Sequence, residues 1–130
     1  MEIDNCAVEN TDPERSCRMM IQATADALYA VGGKWKLPII IALHTKPRRF
    51  NELQRTLVNI SPRILSNELK EMELNGFVKR NVNASATPVV VEYELAEYSH
   101  SLAGIVRELV GWGTSHRHKL KNDGHSRGVR

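Results

Sequence analysis

The stretch ISPRILSNELKEMELNGFVKR, residues 60–80, decides the fold. Serine is a preferred helix N-cap and proline is favoured at the first helical position, so Ser61-Pro62 opens a helix. Gly76 ends it, because glycine takes the left-handed C-terminal conformation without a Cβ penalty. At ~100° per residue, Leu65, Leu69 and Met72 gather on one side. Arg63, Ser66, Asn67 and Lys70 fall on the opposite arc, with Glu68, Glu71 and Glu73 toward the flanks. The helix therefore buries one side and shows two cations, a hydroxyl and an amide on the other. No acid lies at the centre of that arc.

After Gly76 the pattern changes from helical to alternating. Phe77 to Val82 and Pro88 to Leu95 read as two strands joined by the small polar run Asn83-Ala84-Ser85-Ala86-Thr87, a β-hairpin. Upstream, Val58-Asn59-Ile60 is a tight connection from a short helix over residues 51–57, with Leu53 and Leu57 at i, i+4. Lys46-Pro47 separates that helix from another over residues 34–44. Its charge-free run Leu37 to Leu43 is apolar nearly all round and belongs in the core. A first helix over residues 17–31 has Met20, Ala23, Ala27, Ala30 and Val31 on one stripe and stops at Gly32-Gly33. A last helix is expected from about Ser99 to Trp112 or beyond, its apolar face made by Leu102, Ile105, Val106, Leu109 and Trp112. The class is α+β, mainly helical. Two short helices, a tight turn and a two-stranded hairpin follow the order of a winged helix-turn-helix with extra N- and C-terminal helices. The expected organisation is a mobile acidic arm over residues 1–15, the domain over 16–113, and a basic tail over 114–130.

One domain's worth of chain, 130 residues, suffices for a single core. No apolar run reaches the ~18 residues of a membrane span. The polar N-terminus lacks the basic and apolar regions of a secretory signal. A cytoplasmic, nucleoid-associated protein is expected. Net charge is only +3, but residues 34–80 hold ten Lys and Arg against four Asp and Glu. A basic central block suits a phosphate backbone. Enzyme chemistry has no foothold: there is no phosphate-binding glycine loop, nucleophile elbow or dense carboxylate pair. His116-x-His118 lies in the basic tail without a carboxylate or thiol at good spacing and reads as a solvated run, so neither metal nor cofactor is expected.

The outward arc of the fourth helix has the groups a major groove reads. Arginine forks onto guanine, asparagine pairs with adenine, and serine or lysine reaches bases or phosphates. The helix start enters deepest, which favours Pro62, Arg63 and Ser66 over Lys70, and Ser61 and Asn67 are expected at the DNA as well. Arg48 and Arg49 before the third helix and Asn51 on it are expected to hold phosphates, which fixes register without reading sequence. Arg80 at the base of the hairpin, with Asn83 and Thr87 at its tip, is expected along a neighbouring minor groove. The partner implied is double-stranded DNA.

GGKW at 32–35, RRFNEL at 48–53, residues 60–80 as quoted, and PVVVEYEL at 88–95 together resemble the HxlR family of bacterial transcriptional regulators. The resemblance spans roughly residues 20–113. It implies a winged helix-turn-helix regulator, repressor or activator, acting as a homodimer on a pseudo-palindromic operator. It places the dimer contact on the first and last helices, here Met20, Ala23, Ala27, Leu102, Ile105, Val106, Leu109 and Trp112. The periodicity agrees, since the last face is too apolar to leave exposed on a small monomer. Two departures stand out. Many members have a cysteine about ten residues before the paired glycines, where this chain has Gln22. The Thr-x-x-Gly that tends to follow the second wing strand is Ala96-Glu97-Tyr98-Ser99.

Cys6 and Cys17 lie in the N-terminal segment. In a cytoplasmic chain they are expected as partly exposed thiols rather than a permanent bridge. The alternative is a redox or electrophile sensor, with Arg15 and Arg18 beside Cys17 to favour its thiolate. A winged helix given over to protein partners is a second alternative, but its fourth helix should then lose the Arg, Asn and Lys character seen here. A third is control by an unknown small-molecule effector, held between the dimer helices and the DNA-binding core.

Overall fold

A computed structural model describes residues 12–123. The described residues divide into two compact units, one ending at Trp35 and the other beginning at Lys36. In the first, helix α1 spans Pro13–Val31. It begins four residues before the expected Cys17. Pro13, Glu14 and Arg15 add nothing to an apolar stripe, yet Asp12 caps them: its carboxylate accepts from the Glu14 amide at 3.1 Å, and Pro13 takes the first turn. The three residues expected at the end of an N-terminal arm are thus helical. Val31 is the one buried residue of α1. Gly32 ends the helix with extended backbone, and a Cβ there would run into the Leu28 carbonyl oxygen. Gly33 follows at φ +90°, a conformation glycine adopts freely.

The second unit contains α2 (Lys36–Thr45), α3 (Phe50–Thr56), α4 (Pro62–Leu74), the antiparallel strands β1 (Val78–Asn83) and β2 (Val90–Leu95), a 3-10 helix (Glu97–Leu102) and α5 (Ala103–Asp123). Ile39 of α2, Leu53 of α3, Leu65, Leu69 and Met72 of α4, and Val78 of β1 are almost wholly buried and form the centre of the core. Ser61 caps α4 as expected, its Oγ accepting from the Ile64 amide at 3.1 Å, and Gly76 behind the helix has φ +84°. The hairpin register pairs Val78 with Leu95 and Asn83 with Val90.

A third strand position escapes a reading of runs. Arg48 pairs with Tyr93 on the far side of β2, its amide donating to the Tyr93 carbonyl at 3.0 Å and its carbonyl accepting from the Tyr93 amide at 2.8 Å. The segment before α3 is thus stitched to the wing.

The last helix departs most from expectation. A 3-10 helix precedes it, with Ala96 as its N-cap residue and no side-chain cap bond. Ser99, where the family pattern has glycine, is buried, and its Oγ donates to the Phe77 carbonyl at 2.6 Å. Helix α5 then runs 21 residues to Asp123, well into the expected tail, and buries none of them. Gly111 and Gly113 argue for a break, since each costs ~1 kcal/mol in a helix interior, yet the helix continues through both.

Candidate nucleic-acid interface

The two cations and the amide on the outward arc of α4, Arg63, Asn67 and Lys70, are exposed, as is Pro62, while Ser66 is half-buried. Among the described residues the side chains of Arg63, Asn67 and Lys70 make no hydrogen bond or ion pair, so their donors are uncommitted. Ile64 and Leu74 are exposed on the same helix. Ser61 is exposed too, but its hydroxyl oxygen already accepts from the Ile64 amide, which makes it first a cap.

What aims this arc is a charge clamp that helical periodicity does not reveal. Lys36, at the start of α2, reaches Glu68 at 3.0 Å and Glu71 at 3.2 Å, both on α4, with its side chain only 11% exposed. Burial alone would lower the Lys36 pKa. The hydrogen bonds and charges of Glu68 and Glu71 outweigh it and hold the group above its ordinary value. The acids Glu68 and Glu71 thus tie one flank of α4 to the start of α2. The signal was present as two acids three residues apart on one flank, but the distant lysine that meets them is set by tertiary packing.

The wing completes the face. Ser66, Lys70 and Glu73 of α4 line one cleft of about 440 Å³ with Arg80 of β1 and Tyr93 of β2. Three of the expected site residues therefore come together, with two additions. Tyr93 lies directly across from Arg80 in the hairpin register. It was hidden because that register depends on where the turn falls. Lys79 points elsewhere and pairs with Glu94 at 3.5 Å. A hydrogen bond from Asn81, with the Lys79 charge, holds the Glu94 carboxyl below its usual value. At the hairpin tip Asn83 turns onto Ser85, its Oδ1 accepting from the Ser85 amide at 3.2 Å and the Ser85 hydroxyl at 2.7 Å. Thr87 is exposed nearby.

The paired arginines before α3 part company. Arg49 is exposed, and its side chain has no hydrogen bond or ion pair among the described residues. Its backbone amide donates to Glu52 at 2.8 Å, which holds the Glu52 carboxyl below its usual value, helped by the charges of Lys46, Arg49 and Arg48. Arg48, expected to hold a phosphate, is half-buried and turns its guanidinium into the protein. Its Nε donates to the Ala42 carbonyl at 2.7 Å, and its terminal nitrogens reach Thr45 at 3.0 Å and Thr56 at 3.4 Å. The guanidinium closes the end of α2 and is committed within the protein. Asn51 is exposed beside it.

Of the expected dimer residues, Leu102 lies on the 3-10 helix and is buried in its own core, and Val106 is half-buried. Ile105, Leu109 and Trp112 are exposed on α5, while Met20 is half-buried and Ala23 and Ala27 exposed on α1. Cys17 is a free, exposed thiol; Cys6 lies outside the described residues.

A recognition helix with a free cationic arc, beside a hairpin that adds a further cation, defines a winged helix-turn-helix DNA-binding protein. The HxlR-like helix-turn-helix family profile matches residues 30–121, and the chain belongs to that family. It is a transcriptional regulator of HxlR type, and the family's members are DNA-binding regulators, not enzymes. It is 36% identical over 110 residues to the HTH-type transcriptional regulator YtcD of Bacillus subtilis, a match covering 85% of this chain and 84% of the relative. The crystal structure of YtcD superposes with a TM-score of 0.68 at 39% identity, over 76% of this chain and 97% of that one. The redox regulator HypR in its reduced form gives a TM-score of 0.71 at 35% identity, over 77% and 98%. YodB of B. subtilis, reduced, gives 0.62 at 36% identity, over 68% and 85%. No helix among the described residues is long and apolar enough to cross a membrane.

Proposed function

We propose that this regulator acts as a homodimer on a pseudo-palindromic duplex site, in the cytoplasm and on the nucleoid, with α4 in the major groove of each half-site. The observation that carries the reading is the free outward arc of Arg63, Asn67 and Lys70 on α4. Arg63 and Asn67 read base edges, with Ser66 and Pro62 close to the groove floor. Arg49, Asn51 and Ser61 hold one phosphate strand. Lys70 and Arg80 flank the backbone beside the wing, and Asn83 and Thr87 follow the neighbouring minor groove. Support for the dimer comes from α5. Ile105, Leu109, Trp112, His116 and Leu120 recur at i, i+4, i+7, i+11 and i+15, and the four apolar ones are at least two-fifths exposed. A second copy is the natural cover for such a seam, with Met20, Ala23 and Ala27 of α1 joining the contact. Selection of random duplex DNA by the purified protein tests this. A symmetric motif with half-sites about one helical turn apart is the expected result. A featureless pool at low salt refutes it.

A second reading rests on the exposed Cys17 thiol. HypR is named a redox regulator and has been solved reduced and oxidised, and YodB reduced, diamide-treated and quinone-bound. In this reading oxidation at Cys17, alone or with Cys6, changes operator affinity. Binding by Cys6→Ser and Cys17→Ser variants with and without diamide decides it: variants that respond to diamide as the wild type does end the proposal.

A further inference from the structure

Helix α2, the end of β2, the 3-10 helix and the start of α5 enclose a groove of about 320 Å³, within the size range of small-molecule sites. Ile41, Leu95, Val106 and Val110 give it an apolar wall. Ile41 explains why the groove exists: it is 45% exposed on a helix whose neighbours Ile39, Ile40, Ala42 and Leu43 are buried. His44, His100 and Arg107 share the lining, and among the described residues none of their side chains has a hydrogen bond or ion pair. One permanent cation and two imidazoles thus converge on an apolar surface without a protein partner.

The groove opens on a different face of α5 from the seam. At 3.6 residues per turn, Ala103, Val106, Arg107 and Val110 face the groove, while Ile105, Leu109, Trp112 and His116 lie roughly 140° around the helix, with Leu109 nearest the border. Leu109 also shares a shallow depression with Ile41, Val106 and Val110, so groove and seam adjoin along one edge.

We propose that this groove binds a small organic monoanion: a one- or two-ring apolar body against Ile41, Val106 and Val110, with a single carboxylate on Arg107 and imidazole N–H groups of His44 and His100 donating to it. Charge complementarity selects the class. Arginine pairs with a carboxylate through a planar fork. One cation balances one negative charge, and the apolar wall disfavours a hydrated inorganic ion. An occupant bridges α2 to α5, joining the helix whose Lys36 holds α4 to the helix that bears the seam.

Calorimetric titration of the full-length protein, without DNA, tests this with 2-naphthoate and its neutral analogue naphthalene-2-carboxamide. The acid is expected to bind once per chain, at least tenfold more tightly than the amide. Arg107→Gln should weaken the acid tenfold or more and leave the amide unchanged. Val110→Trp should abolish both by filling the groove; if that variant fails to fold, the Arg107→Gln pair still decides. No binding of the acid at millimolar concentration, equal binding of acid and amide, or unchanged affinity in Arg107→Gln overturns the proposal. Dissociation of a wild-type dimer by 2-naphthoate in sedimentation also overturns it, because the groove would then belong to a second copy. None of these readings uses DNA, so failure here is separable from failure of the operator reading.

Discussion

Arg48 and Arg49 are adjacent and chemically identical, yet the fold gives them opposite occupations. Arg48→Ala removes a charged donor from the Ala42 carbonyl, a bond worth about 1.5–3 kcal/mol. Its expected result is a lower melting temperature with an unchanged salt dependence of DNA binding. Arg49→Ala should leave stability within about 0.5 kcal/mol and reduce the slope of log affinity against log salt by about 0.9, the signature of one lost phosphate contact. Thermal melts and binding isotherms at several salt concentrations separate the two. On α4, Arg63→Ala and Asn67→Ala should each cost about 1–3 kcal/mol on the specific site and relax discrimination at one base pair. Selection repeated with each variant checks this, and discrimination left intact in Arg63→Ala would refute the assignment of α4. That α4 presents these residues outward was legible in the sequence, because helical periodicity fixes which side chains share a face. The division of labour at 48 and 49 was not. It depends on where the end of α2 lies in space.

At the scale of the element, α4 is held by its cap and by its clamp. Ser61→Ala should destabilise the protein by about 0.5–2 kcal/mol through loss of the bond to the Ile64 amide. Ser61→Asp keeps a cap, so stability should be retained while DNA affinity falls, because in the proposed complex the new charge would face phosphate. Loss of stability in Ser61→Asp comparable to that in Ser61→Ala would show that the cap geometry does not survive. The clamp makes a pH prediction. The Lys36 pKa is raised in the folded protein, so its contribution is complete below the ordinary lysine value near 10.5 and is lost as pH rises through the folded value. Wild type should therefore lose stability at alkaline pH relative to Lys36→Met, whose own cost at neutral pH lies between the ~0.2–1 kcal/mol of an exposed pair and the ~3–5 of a buried one. Melts of both proteins from pH 7 to 11 give the comparison; parallel curves would show the clamp to be inert.

For the whole molecule, α5 is the feature that a lone chain does not explain. A 21-residue helix that buries none of its residues cannot be held by its own core alone. Trp112, 66% exposed and stacked on His116 at 4.7 Å, sits in the middle of the proposed seam. Trp112→Glu should give a monomer in sedimentation, with a cooperative thermal melt showing that the chain still folds, and DNA affinity reduced because one half-site is then bound alone. A dimer that survives this change places the two-fold contact elsewhere.

Sequence alone determined the element order, the buried side of α4 and its cationic outward arc, because caps, glycines and the 3.6-residue period act locally. It also determined the family, through four motifs in fixed order. Element ends were less legible: α1 begins at a cap rather than at an apolar residue, and α5 continues through two glycines. Only the tertiary structure decided the Lys36 clamp across to α4, the pairing of Arg48 with Tyr93, the meeting of Lys70 with Arg80 in one cleft, and the open groove beside Ile41. Each of these joins residues distant in sequence or sets one residue apart from its neighbours. No periodicity records such placement; it arises when the apolar faces pack and carry the polar side chains with them.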